Sequence, residues 1–210
     1  MRIVEKSQLM TAAEIDRTLS RLAHEIVERN GGTAGLSLIG VRRRGVPLSK
    51  RLARAILALL PALKQYDQQI AELFKAHDDA AIFSSLPGAG PALAPRLLVV
   101  FGSRRDRWRH SLDVATYSGI APVIEQSGKR SIVHWRWACP KFVRQSLHEF
   151  ARCSVRSCAW AKRFYQTQRA RGNNHHGALR ALAFKWIRIL FRCWQDRSLY
   201  DPAKYAPAKL

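Results

Sequence analysis

Acidic side chains are scarce in this sequence: 15 Asp and Glu stand against 36 Lys and Arg in 210 residues, a formal net charge of +21 with a pI near 11.0. That excludes the near-neutral balance of a typical soluble enzyme, and a field of this sign attracts polyanions. Cysteine is sparse as well. Cys139, Cys153, Cys158 and Cys193 contain no Cys-x-x-Cys pair, and their spacings to each other and to His134 or His148 fit no common zinc pattern, so no metal site is expected. The opening MRIVEKSQLM is charged and has no apolar core, so no secretory leader is expected and the thiols should stay reduced in a bacterial cytoplasm. No apolar run approaches the ~20 residues that span a bilayer, which excludes a membrane partner of that kind. Nor does a Gly/Ser linker mark any junction between domains.

What is present begins with enough apolar material for a core, 47% of residues. The basic excess is uneven. Residues 1–60 carry 11 basic and 5 acidic side chains, residues 61–95 carry 2 and 4, and residues 96–210 carry 23 and 6. In that last segment the cations are interleaved with Trp108, Trp135, Trp137, Trp160, Trp186 and Trp194. Phosphate neutralisation with base or sugar stacking would use such a mixture, which points to DNA; the competing reading is that the tryptophans are core and the arginines keep the domain soluble.

The pattern along the chain predicts a mainly α protein preceded by a short α/β piece. Thr11 with Glu14 three residues on, then Ile15, Leu19, Leu22, Ile26 and Val27 on one face and Gly31 as a stop, predict a capped amphipathic helix. LSLIGV (36–41) reads as a buried strand, RRRG (42–45) as a tight basic loop, and 46–60 as a second helix with Pro47 in its first turn. Such a strand needs a parallel partner, and none follows. Residues 61–77 read as a coiled-coil-like helix with Leu63, Tyr66, Ile70, Leu73 and Phe74 at three-to-four spacing, able to run together with the one before.

Leu86-Pro87-Gly88-Ala89-Gly90 then makes a turn between two short helices, where backbone N–H groups at a helix N-terminus could seat a phosphate. A helix at about 110–118 and a Gly119 turn lead to a polar loop, Ser127-Gly128-Lys129-Arg130. Glycine there lets the backbone approach a phosphate, the two cations can neutralise it and the serine can meet it; a plain turn is the alternative. Residues 140–172 and 175–197 read as long basic helices. Ser154 could cap a segment, Gly172-Asn173-Asn174 ends one, and Leu179, Leu182, Phe184, Trp186, Ile187, Leu190 and Phe191 form the last apolar face. The tail from 206 to 210 is expected to be loose.

Taken in order, the coiled-coil-like helix, FSSLPGAGPALAPRLL, SLDVATYSGIAPVIEQSGKR, RWACPKFVRQSLHEFARCS and AWAKRFYQTQRARGNNHHGALRALAFKWIRILFRCW resemble the C-terminal part of the IS one-ten (IS116/IS110/IS902-type) family of transposases over about residues 57–205. The resemblance implies a helix-hairpin-helix-like DNA-backbone element at Leu86, Gly88 and Gly90, and a DNA recombinase guided by a structured RNA. Its serine nucleophile falls at Ser127, with Lys129 and Arg130 neutralising phosphate by position. It also implies an N-terminal RuvC-like domain whose carboxylates hold Mg²⁺, and a homo-oligomer or a full-length transposase as partner. Nothing before Leu57 resembles that carboxylate domain. The chain is therefore expected to bind no cofactor itself, to be inactive alone as a recombinase, and to lie in the nucleoid if DNA-bound.

The stretch EKSQLMTAAEIDRTLSRLAHEIVERN followed by LSLIGVRRRGVPLSKRLARAI (about 4–56) resembles instead the N-terminus of PyrR, the pyrimidine-operon attenuator and uracil phosphoribosyltransferase. That resemblance implies a vestigial pyrophosphate loop at Gly40, Arg44 and Gly45, with Arg43 where Thr is usual. The rest of a phosphoribosyltransferase is missing, and Asp78-Asp79 does not supply its acidic pair. The division expected is thus a PyrR-like fragment (1–56), a coiled-coil-like helix (57–77), a transposase domain (78–205) and the tail: a chimera whose alternative function is a truncated RNA-binding regulator or phosphoribosyltransferase.

Overall fold

The first helix starts where the sequence places its cap. In the computed structural model, which describes residues 10–128, 130–134 and 136–205 and of residues 130–133 the backbone alone, α1 spans Ala12–Asn30. Thr11 Oγ1 accepts from the Glu14 amide at 3.3 Å, and the Glu14 carboxylate accepts from the Thr11 amide at 2.7 Å. These bonds hold the Glu14 carboxyl below its ordinary pKa. Gly31 ends the helix at φ 64°, a left-handed conformation suited to glycine. The chain divides into two compact units, Met1–Gln69 and Ile70–Leu210.

In the first unit, the strand expected over residues 36–41 does not form: these residues join no strand ladder among the described residues, and Ile39 and Val41 are 91% and 80% exposed. A strand in a parallel sheet is held by its neighbours, and the sequence beyond is helical, so this one has no ladder to join. The next helix, α2, runs unbroken from Gly45 to Lys75 through Pro61, merging the two helices read from the sequence. Its Leu63, Tyr66, Ile70 and Leu73 keep their three-to-four spacing and are exposed. The buried set of this unit is small: Ala23, Val27 and Ile56, flanked by Leu36, Leu52 and Leu59.

The second unit carries the main core. Its helices are α3 (Ala80–Ser84), α4 (Leu93–Phe101), α5 (Ser111–Tyr117), α6 (Lys141–Ser157), α7 (Ala159–Ala170) and α8 (His175–Gln195), with 3₁₀ turns at Arg105–Arg107 and Pro202–Tyr205. Helix α8 packs against α5, α6 and α7, so Leu179, Leu182, Trp186, Ile187 and Leu190 of its expected apolar face are buried and Phe184 and Phe191 half-buried. Gly172 at φ 87° ends α7, and Asn174 caps α8 by accepting from the Gly177 amide at 2.7 Å.

Four of the tryptophans belong to this core, which corrects the stacking role expected of them. Trp108, Trp160, Trp186 and Trp194 are buried, and each indole N–H has a partner: Phe101 O, the Tyr200 hydroxyl, Ser154 Oγ and Gly102 O, at 2.7–3.0 Å. Trp186 meets Trp160, Phe150 and Tyr200 at centroid distances of 4.7, 5.0 and 5.4 Å. Only Trp137 among the described tryptophans is exposed, at 83%; Trp135 lies outside the described residues. Ser154 is likewise no cap. It sits inside α6, accepts from Trp186 and donates to Ala151 O at 2.7 Å; the chain breaks instead at the extended Cys158, between α6 and α7.

A buried ion pair joins α3 to the segment after α4. The Asp79 carboxylate accepts two bonds from Arg105, at 2.5 and 2.9 Å, and the guanidinium lies 4.6 Å from the Trp194 ring centroid. Arg105 holds the Asp79 carboxyl below its ordinary pKa.

Residues 123–134 form a β-hairpin where a polar loop was expected. Strands β1 (Val123–Ser127) and β2 (Arg130–His134) pair antiparallel from Val123 opposite His134 to Ser127 opposite Arg130. Gly128 opens the two-residue turn at φ 58°, the conformation that short hairpin turns require and glycine adopts without strain. Among the described residues this is the only sheet.

Candidate nucleic-acid interface

The hairpin places Ser127 at its tip, exposed, one residue before the glycine turn. Among the described residues no side chain hydrogen-bonds its hydroxyl. Lys129 lies outside the described residues, and Arg130 is placed by its backbone alone, opposite Ser127. The hairpin is rooted on α6: Arg144 donates to Arg136 O at 2.9 Å and Trp137 O at 3.3 Å and also contacts Cys139 Sγ. Gly119, at φ 70°, gives the room this root needs, because a Cβ there would lie 2.6 Å from Cys139 Sγ.

The turn between α3 and α4 is built more for packing than for contact with a ligand. Leu86 is buried, and a Cβ on Gly88 would lie 2.9 Å from Cys153 C and 3.0 Å from Ser154 N, so this glycine presses on the α6 backbone. The Tyr200 amide donates to Ser85 Oγ at 2.9 Å and ties the C-terminal segment to the same turn. At the start of α4 the Leu93 and Ala94 amides both donate to Gly90 O, and Pro91 and Pro95 have no N–H to offer. Gly90 alone of the three expected contact residues is exposed with open space around it.

In the first unit Gly40, Arg44 and Gly45 do form one tight turn. The Gly45 amide donates to Val41 O at 3.0 Å, and a Cβ on Gly40 would meet Ser49 Oγ at 2.6 Å. Arg44 is exposed, and Arg43 takes φ 73°, an uncommon conformation for a non-glycine residue. The acidic side chains nearby are engaged elsewhere: Glu14 in the helix cap, Asp16 with Arg51, and Glu25 with Arg21 and Arg29. Among the described residues no three His, Cys, Asp or Glu side chains converge to hold a metal ion.

One feature of the second unit was not read from the sequence. Trp137, Lys141, Arg144, Arg152, His175 and His176 line a cleft of about 590 Å³ between α6 and the first turn of α8. Its members lie up to 42 positions apart, from Trp137 to Leu179, and no local pattern joins them. His148, also in its lining, has its pKa pushed down to about 4 by burial and by the positive charges of Arg180, Arg144 and His176, which reports the sign of the local field.

Comparison with known proteins finds similarity to two kinds of protein. Residues 80–166 match the model of the Transposase IS116/IS110/IS902 family. The chain is 28% identical over 162 residues to the Insertion element IS116 uncharacterized 44.8 kDa protein of Streptomyces clavuligerus, covering 77% of this chain and 40% of that protein. It is 27% identical over 200 residues to the Mini-circle putative transposase for IS117 of Streptomyces coelicolor, covering 86% of this chain and 48% of that protein. Over 52 residues the chain is 58% identical to the Bifunctional protein PyrR of Pelotomaculum thermopropionicum, covering 25% of this chain and 29% of that one. The chain thus spans less than half the length of each of these relatives.

Proposed function

Residues 80–166 being a segment of the IS116/IS110/IS902 transposase family, we propose that the second unit is the DNA-binding and serine-bearing part of an insertion-sequence transposase, inactive until another polypeptide supplies the carboxylate domain. The observation that carries this reading is the position of Ser127 within the matched segment: exposed at the tip of a hairpin, beside a glycine that leaves the backbone open to a phosphate. The 23 basic side chains of residues 96–210 supply the field that draws DNA to it.

In this reading the Ser127 hydroxyl attacks a DNA phosphodiester. A phosphoserine ester forms, the bond from phosphorus to one sugar oxygen breaks, and that oxygen takes up a proton as the serine gives one up. In this reading the base for that exchange comes with the carboxylate domain, as no described side chain hydrogen-bonds the hydroxyl. The test is to add the RuvC-like domain of a longer relative and its guide RNA in trans with Mg²⁺. A covalent protein–DNA adduct should form, and Ser127→Ala should abolish it while leaving DNA affinity nearly unchanged. An adduct that survives Ser127→Ala refutes the assignment.

A second reading, a PyrR-like regulator or phosphoribosyltransferase, is favoured only by the 58% identity over 52 residues. The unpaired segment at 36–41 speaks against a working phosphoribosyltransferase site. Incubation with uracil and phosphoribosyl pyrophosphate should yield no nucleotide, and measurable product would favour this second reading.

A further inference from the structure

A second cavity of about 550 Å³ shares His176 with the cleft between α6 and α8 and is lined also by Asn173, Asn174 and Arg180. Either volume lies within the roughly 300–1,000 Å³ of pockets that enclose a small ligand. Cations dominate the linings: Lys141, Arg144, Arg152 and Arg180 against one carboxylate, Glu149, which is itself paired with Arg96 at 3.3 Å and Arg152 at 3.8 Å. The 21-residue helix α8 points its N-terminus here, adding the positive end of its dipole. At the rim stands Trp137, a large aromatic surface left 83% in water while the other described tryptophans are buried. Its backbone belongs to the 136–139 segment that Arg144 secures by bonds to Arg136 O and Trp137 O, so the segment that carries the ring is held before any ligand arrives.

A basic cleft with a neighbouring cavity beside it and an exposed indole at its rim suits an extended polyanion whose residues carry flat apolar faces. A duplex keeps its bases stacked inside and cannot offer one to the indole; an unpaired strand can. We infer that this cleft binds an unpaired stretch of nucleic acid, a base stacked on Trp137 and the backbone running past Lys141, Arg152 and the start of α8. The inference rests on the nucleic-acid reading above and deepens it. It separates two surfaces on the second unit: the hairpin tip for chemistry on DNA and the cleft for a single strand.

The experiment titrates the full chain with oligo-dT and oligo-U of about 12 residues, and with a duplex, following tryptophan fluorescence and anisotropy. Trp137→Ala should weaken single-strand binding roughly 5- to 100-fold and remove the quench that stacking produces, while duplex affinity changes by less than about twofold. Lys141→Ala should lower the salt slope for the single strand by about 0.7. Preference between oligo-U and oligo-dT tells whether the strand is RNA or DNA. If the wild-type chain binds oligonucleotides and Trp137→Ala binds them equally well, the cleft assignment is overturned and the DNA-binding reading stands. Equal weakening on duplex and single strand overturns the assignment to an unpaired strand. Failure of the wild-type chain to bind any nucleic acid overturns both readings.

Discussion

Replacing Gly88 by alanine separates packing from ligand contact in the α3–α4 turn. Gly88 stands at φ 86°, and the added Cβ would lie 2.9 Å from Cys153 C, 3.0 Å from Ser154 N and 3.1 Å from Cys153 O. The left-handed conformation costs an alanine roughly 1–2 kcal/mol. Carbon contacts want about 3.5–4.0 Å, and the atoms met here are helix backbone, which yields less easily than a side chain, so overpacking adds about 1–3 kcal/mol. A loss of about 2–5 kcal/mol in a unit of this size lowers Tm by roughly 5–15 °C. Gly90→Ala is the control, since its Cβ meets nothing within 4 Å and its φ is not left-handed; its stability should stay within about 0.5 kcal/mol of the wild type. Urea and thermal unfolding followed by tryptophan fluorescence measure both. The reasoning is refuted if Gly88→Ala melts within about 1 °C of the wild type, or if Gly90→Ala is equally damaging.

Other outcomes follow from the same geometry. Ser154→Ala leaves the buried Trp186 indole N–H without its acceptor and should cost about 1–3 kcal/mol in urea unfolding. Asp79→Asn breaks the pair with the largely buried Arg105 and should destabilise by roughly 3 kcal/mol near neutral pH. Because the folded pKa of Asp79 lies below its unfolded value, its contribution is present above pH ~4 and is lost as the pH falls through the folded value. The variant should therefore show a shallower loss of stability in acid than the wild type, and parallel acid profiles would contradict this.

The parts of the fold legible in the sequence are those fixed by neighbours in the chain. Thr11 and Glu14 state the start of α1 and Gly31 its end, and the apolar face of α8 follows from helical spacing alone. The failed strand at 36–41 shows the limit: its residues have the right composition, but a strand exists only through a partner, and none is in reach. The β1–β2 hairpin did leave a signal. Val123-Ile124 and Ile132-Val133 flank a glycine turn, and the intervening polar residues hid the alternation. Residue type alone does not tell a core tryptophan from an exposed one, which is why Trp137 was not set apart from Trp186. Ser127 is pointed to only by the resemblance of its Ser-Gly pair to a family motif, whereas the cleft is assembled from α6 and α8 and is visible only when they pack.

The central claim, that this chain handles DNA through the basic second unit, is tested most directly by the salt dependence of its affinity for a duplex. With several phosphates neutralised, the binding constant should fall linearly with salt on a logarithmic plot and drop about a thousandfold or more between roughly 50 and 200 mM. An affinity absent at about 50 mM, or one that barely changes over that range, would contradict the account.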